Sequence, residues 1–133
     1  MQNFYVRTVF FVRDTVRAME YYTNTLGFHL DWVHKERDVP YVVQVSLLGM
    51  EIILNQAEHP ELDRPGHGRL YVGLDEAQTT ALQQHIQQHG IAAEYTHWGA
   101  PTLIIFDLDK NELFFWLSDA ERAKWQQQHA GTA

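Results

Sequence analysis

Apolar positions along the chain keep two periods, and each period sequence occurs twice. An extended apolar run, Arg7-Thr8-Val9-Phe10-Phe11-Val12, is followed by Arg13-Asp14; a second, Arg69-Leu70-Tyr71-Val72-Gly73-Leu74, is followed by Asp75. In both places the aspartate is suited to cap a following helix, because its carboxylate can accept from the unpaired N–H groups of the first turn. Helical spacing then places Val16, Met19, Tyr22 and Leu26 on one face over Thr15–Leu26, and Ala81, Leu82 and Ile86 on one face over Gln78–His89. Gly27 and Gly90 follow, as expected where a helix ends in the left-handed conformation.

Three strand-like segments follow each glycine. They are Phe28–His34, Tyr41–Leu48 and Met50–Asn55 in the first half, and Ala92–His97, Thr102–Phe106 and Glu112–Leu117 in the second. Short turns at Gly49 and at Asp109-Lys110-Asn111 join the last two of each set. Matching positions recur after 61 to 63 residues: Arg7 with Arg69, Val12 with Leu74, Gly27 with Gly90, Glu51 with Glu112. The pattern predicts an α+β fold of two tandem βαβββ modules within one domain spanning residues 1–133. The modules run over about 4–55 and 69–117, joined by a Pro- and Gly-bearing linker over 56–68, with a short terminal helix over 118–129.

Composition narrows the function classes. Hydrophobic content of 45% supplies a core and argues against disorder. No apolar run approaches the roughly 20 residues needed to cross a bilayer, so no membrane partner is expected. The amino-terminal Met1-Gln2-Asn3-Phe4-Tyr5 has neither the basic nor the apolar region of a secretory signal. The absence of cysteine removes disulfides, zinc–thiolate sites and thiol nucleophiles, and is compatible with a cytoplasmic setting. A net charge of −7 makes nucleic acid an unsuitable partner, since a phosphate backbone requires a basic footprint. The same charge serves solubility and would also favour cationic ligands.

Several residues together carry a resemblance. Phe11-Val12-Arg13-Asp14, then Ala18-Met19-Glu20-Tyr21-Tyr22 and Leu26-Gly27-Phe28, resemble the opening of the glyoxalase/bleomycin-resistance/extradiol-dioxygenase superfamily. Asp107-Leu108-Asp109-Lys110-Asn111-Glu112-Leu113 resembles its closing D-P-D-G-N hairpin, with Leu108 and Lys110 in place of the usual Pro and Gly. The resemblance spans residues 4–117 and implies paired modules, each curving into a half-barrel sheet, with a ligand cavity between half-barrels and a homodimer.

Metal-dependent members carry His, Gln or Glu early in the first strand and in the middle of the last strand of each half. Carried over by register, these positions are Arg7, Ile53, Arg69 and Phe114, none of which ligates a divalent cation. The expectation is therefore a site with no metal and no cofactor. Three other metal arrangements arise: His85 and His89 at chelating spacing on the second helix, Glu51 and Glu112 in a shifted site with His67, and a calcium-like Asp107-x-Asp109-x-Asn111, for which a hairpin turn is the better reading.

Strand alternation assigns the inward face to Tyr5, Arg7, Val9 and Phe11, to Glu51, Ile53 and Asn55, to Arg69 and Tyr71, and to Glu112, Phe114 and Trp116. The candidate ligand-binding residues are Tyr5, Arg7, Phe11, Glu51, Arg69, Tyr71, Glu112, Phe114 and Trp116, with Trp32 and Trp98 as further stacking surfaces. Either the arginines and glutamates bind anionic and cationic groups of a flat ligand, or each Arg is tied to a Glu across its sheet while the aromatics fill space. No catalytic residue is assigned, since Ser46, Thr96 and Thr102 have no evident base. The implied function is binding and sequestration of an aromatic or amphiphilic small molecule, as in the bleomycin-resistance branch. The alternative is a lyase, isomerase or dioxygenase of the same superfamily.

Overall fold

A computed structural model describes residues 3–98 and 100–128. The chain forms two compact units. The first comprises residues up to Gly68 together with the turn Asp107–Asn111; the second comprises Arg69–Phe106 and the residues from Glu112 onward.

In the first unit the order is β1 (Thr8–Val12), α1 (Thr15–Glu20), a π-helical turn (Tyr21–Thr25), β2 (His29–Glu36), β3 (Val39–Leu47) and β4 (Met50–Gln56). The sheet order is β1-β4-β3-β2, with β1 parallel to β4 and the other pairs antiparallel. Asp14 caps α1 by accepting from the Arg17 N–H. The single helix expected over Thr15–Leu26 widens after its sixth residue, where the Leu26 N–H reaches back to the Tyr21 carbonyl at 3.1 Å. The buried face is Thr15, Ala18, Tyr22 and Leu26, while Val16 and Met19 are only half-buried. Tyr22 and Leu26 are buried as expected, but in the first turns Thr15 and Ala18 take the place of Val16 and Met19, with the Thr15 hydroxyl donating to the Tyr41 carbonyl at 3.0 Å. Phe10, Val12, Val43, Val45, Ile52 and Leu54 complete the core on the helix side of the sheet. The linker contains a 3-10 turn at Pro60–Leu62.

The second unit contains β5 (Arg69–Gly73), α2 (Glu76–His89), β6 (Glu94–Trp98), β7 (Ala100–Phe106), β8 (Glu112–Trp116) and α3 (Asp119–Gln128). Its sheet order is β5-β8-β7-β6, with β5 parallel to β8. The two sheets share one connectivity, and the fold is α+β in two tandem βαβββ modules. Asp75 and Gln78 form a capping box, which starts α2 two residues before the expected Gln78. Gly90, at φ 60°, ends α2. Leu82, Leu103, Ile105, Leu113, Phe115 and Leu117 are buried. No helix among the described residues is long and apolar enough to cross a membrane.

Candidate functional site

In the first unit one face of the sheet packs on α1 and the other carries no helix, whereas in the second unit the face that bears Phe114 and Trp116 meets α3, whose Arg122 lies over the Trp116 ring. In the first unit the parallel register Val9↔Ile53 and Phe11↔Asn55, continued by Gln44↔Ile53 and Ser46↔Glu51, gathers the polar side chains on the helix-free face. A register shift between Leu30 and Trp32 brings Asp31 to the same array. Gln44 is its centre. Its Oε1 accepts from Arg7 NH1 at 2.9 Å, and its Nε2 donates to Asp31 Oδ2 at 2.9 Å and to Glu51 Oε2 at 3.4 Å. Ser46 Oγ donates to Asp31 Oδ1 at 2.9 Å, and the Tyr5 hydroxyl donates to Glu51. Arg7 lies 3.7 Å from Glu51 and stacks over the Tyr5 ring, 4.6 Å from its centroid.

The corresponding face of the second unit holds Arg69↔Glu112, Tyr71↔Phe114 and Gly73↔Trp116 in direct register. Arg69 Nε donates to Glu112 Oε2 at 2.5 Å. That carboxylate is the first cause of the raised Arg69 pKa. The Arg69 guanidinium also lies 4.8 Å from the Phe114 ring, and Tyr71 stacks on Phe114 at 5.9 Å. Trp116 carries the Arg122 guanidinium over its ring at 4.7 Å.

Both expected Arg–Glu pairs therefore form within their own sheets. Phe114, expected as a stacking surface, is 2% exposed, with Tyr71 and Arg69 against its ring. Phe11 is half-buried with the Arg64 guanidinium 4.6 Å from its ring. Tyr5, Trp32 and Tyr71 are open to solvent. The side chain of Trp98 lies outside the described residues. Thr96 and Thr102 hydrogen-bond each other. Alternation of apolar residues did not single out Gln44, Asp31, Ser46 or Arg64. The available signal was Gln44 itself, a polar residue between Val43 and Val45 in the middle of an apolar strand.

The donor set does not fit a divalent metal. Ile53 and Phe114 offer no lone pair, and Arg7 and Arg69 remain protonated. Among the described residues no group of three or more His, Asp or Glu side chains could hold an ion. His67 meets Asp63 at 3.3 Å, while His85 and His89 stack at 4.1 Å on α2. The Asp107–Asn111 segment is a hairpin turn whose carboxylate is occupied by backbone and side-chain donors.

A sequence-family profile, described as glyoxalase superfamily protein, matches residues 3–124. The chain belongs to the glyoxalase superfamily. Solved structures similar to this glyoxalase-superfamily chain include TnmS3, an antibiotic binding protein from Streptomyces sp. CB03234, at 21% identity and TM-score 0.56, covering 90% of this chain and 100% of that one. A lactoylglutathione lyase from Agrobacterium tumefaciens is similar at 16% identity and TM-score 0.56, covering 86% and 92%. A glyoxalase/bleomycin resistance protein from the same Streptomyces strain is similar at 23% identity and TM-score 0.53, covering 83% and 98%. At these identities the likeness is one of fold. No protein in a search of curated sequences matches the chain.

Proposed function

We propose that this glyoxalase-superfamily chain is a small-molecule binding protein that takes up an aromatic or amphiphilic compound on the sheet faces that carry Arg7 and Arg69, without a metal or cofactor. The observation that carries this reading is the pairing of Arg7 with Glu51 and of Arg69 with Glu112 beside open aromatic rings. Paired in this way, the charges nearly cancel. A ligand then meets a wall of rings and hydrogen-bonding groups, which suits a flat body with a few polar substituents. The pairs are about one-third to one-half exposed on their arginine side, at 36% and 48%, so a bound polar group can exchange with either partner at small cost. That TnmS3, an antibiotic binding protein, is similar in fold supports small-molecule binding as a use of this surface. The reading includes a homodimer, by analogy with the superfamily, and a cytoplasmic setting, with neither nucleic acid nor membrane as partner.

The test is a thermal-shift and tryptophan-quench screen of aromatic and amphiphilic compounds, with chelator and with added Zn²⁺, Ni²⁺ or Fe²⁺. Saturable binding that persists in chelator, weakened about tenfold by Arg7→Ala and by Trp116→Ala, a difference of about 1.4 kcal/mol, is the expected result. Stoichiometric metal in the purified protein with turnover of the methylglyoxal–glutathione hemithioacetal would replace it with the lyase reading. Sedimentation as a monomer at micromolar concentration would remove the dimer.

A further inference from the structure

The linker 56–68 does more than join two modules. Its residues Leu62, Asp63, Arg64 and His67 form one wall of a cavity of about 550 Å³, and the edge strand β1 forms the other through Val9 and Phe11. That volume lies within the range of small-molecule sites. The apolar wall is Val9, Phe11 and Leu62, of which Val9 and Leu62 are about half exposed, at 47% and 51%.

The two formal charges of this cavity are not paired with each other. His67 Nε2 meets Asp63 Oδ2 at 3.3 Å, so that carboxylate is engaged by the imidazole and not by Arg64. The Arg64 guanidinium lies over the Phe11 ring at 4.6 Å, and no carboxylate pairs with it among the described residues. A guanidinium stacked on a ring keeps its N–H edge available in its own plane, the arrangement that receives a carboxylate through two parallel hydrogen bonds. A guanidinium without a carboxylate partner matches a carboxylate ligand, and the adjacent apolar wall matches a planar body. We propose that this cavity is a binding site for a small planar carboxylate, with Arg64 holding the carboxylate and Val9, Phe11 and Leu62 covering the ring. It shares Val9 and Phe11 but no charged residue with the face that carries Arg7, so substitutions at Arg64 and at Arg7 separate it from the function proposed above.

The test uses 1-naphthoate and its neutral counterpart 1-naphthamide, titrated into the ¹⁵N-labelled full chain. The expected result is naphthoate-induced shifts concentrated at Phe11, Arg64 and His67, with naphthoate binding at least tenfold tighter than naphthamide. Arg64→Gln should remove that preference, while Arg7→Gln should leave it intact. Leu62→Ser should weaken both probes, since it shortens the apolar wall without changing charge. Equal affinity for the two probes, a preference that survives Arg64→Gln, shifts centred on Arg7 and Gln44, or no binding at millimolar naphthoate would each overturn the proposal.

Discussion

The Tyr22 hydroxyl donates to Asp107 Oδ2 at 2.9 Å across 85 residues of sequence, and both side chains are buried. Around that bond Asp107 Oδ1 accepts from the backbone N–H groups of Asp109 and Asn111, and Oδ2 accepts again from Asn111 Nδ2. Asn111 in turn donates to the Phe11 carbonyl at 3.2 Å and accepts from the Gly68 N–H at 2.9 Å. All of these bonds lie within the first unit, to which the turn Asp107–Asn111 belongs. Burial raises the Tyr22 pKa well above its ordinary 10, and the Asp107 charge raises it further. Burial also raises the Asp107 pKa above 3.8, opposed by the bonds from Asn111 and Tyr22.

Tyr22→Phe should cost about 1–2 kcal/mol at neutral pH, because a buried carboxylate loses one donor. The folded state holds the Tyr22 proton longer than the unfolded chain does, so that contribution is complete below pH 10 and is lost as pH climbs through the folded value. The wild type should therefore lose stability in strong alkali more steeply than Tyr22→Phe. Tyr41, pushed up to about 12 first by its bond to Glu58, adds a slope of the same sign to both proteins. In acid the difference should shrink. Asp107 with its raised pKa is stabilising when protonated below 3.8, and the neutral carboxyl loses less when Tyr22 is removed. Urea unfolding at pH 3.5, 7 and 10.5 checks all three points; a cost for Tyr22→Phe independent of pH would contradict them.

Lys110 occupies the turn at φ 76°, a conformation that favours glycine. Relief of that strain outweighs the extra freedom glycine gives the unfolded chain, so Lys110→Gly should stabilise the fold by about 0.5–1 kcal/mol. The turn's hydrogen bonds come from backbone and from Asp107 and Asn111, so no other contact is lost. A raised urea midpoint with an unchanged slope is the expected observation.

The strand–helix–strand order, the aspartate caps and the alternation of faces were legible in the sequence because each depends on neighbours within a few residues. The widened turn after Glu20 was not, since no period of apolar residues encodes it; it carries Tyr22, whose hydroxyl reaches the distant Asp107. The same limit applies to the candidate site. Alternation placed Arg7 and Glu51 on one face, and Arg69 and Glu112 on another, as the registers have them. Alternation does not report depth, so Phe114, at the right parity, is covered by Tyr71 and Arg69. Asp31 entered the array through a register shift, which a strict period of two cannot anticipate.

Two glycines separate backbone conformation from close approach. Gly49 at φ 87° and Gly66 at φ 86° share a backbone conformation, but a Cβ at Gly49 would meet nothing within 4 Å, whereas one at Gly66 would stand 2.5 Å from the Asp109 carbonyl oxygen. Gly49→Ala should cost about 1 kcal/mol for conformation alone. Gly66→Ala adds a clash with backbone that cannot rotate away, and should cost about 2–4 kcal/mol. Equal costs in denaturant titrations would mean that the linker does not hold Gly66 against the turn.

Gln44 is 6% exposed and lies between two carboxylates and a guanidinium, donating to Asp31 and Glu51 while accepting from Arg7. The amide does both because it carries two N–H donors beside its acceptor oxygen, whereas a carboxylate only accepts. Gln44→Glu replaces the donating nitrogen with a third negative oxygen beside Asp31 and Glu51, a like-charge contact in a poorly solvated place. At pH 7 the variant should lose about 2–3 kcal/mol. The introduced carboxyl, its pKa raised by both neighbours, regains the donor when it binds a proton, so the deficit should narrow as pH falls towards 5. Gln44→Met, similar in length but unable to hydrogen-bond, adds no titrating group, so its deficit should vary less with pH over the same range. If Gln44→Glu behaves like Gln44→Met across the titration, Gln44 does not donate to the two carboxylates, and the polar array on this face must be assembled differently.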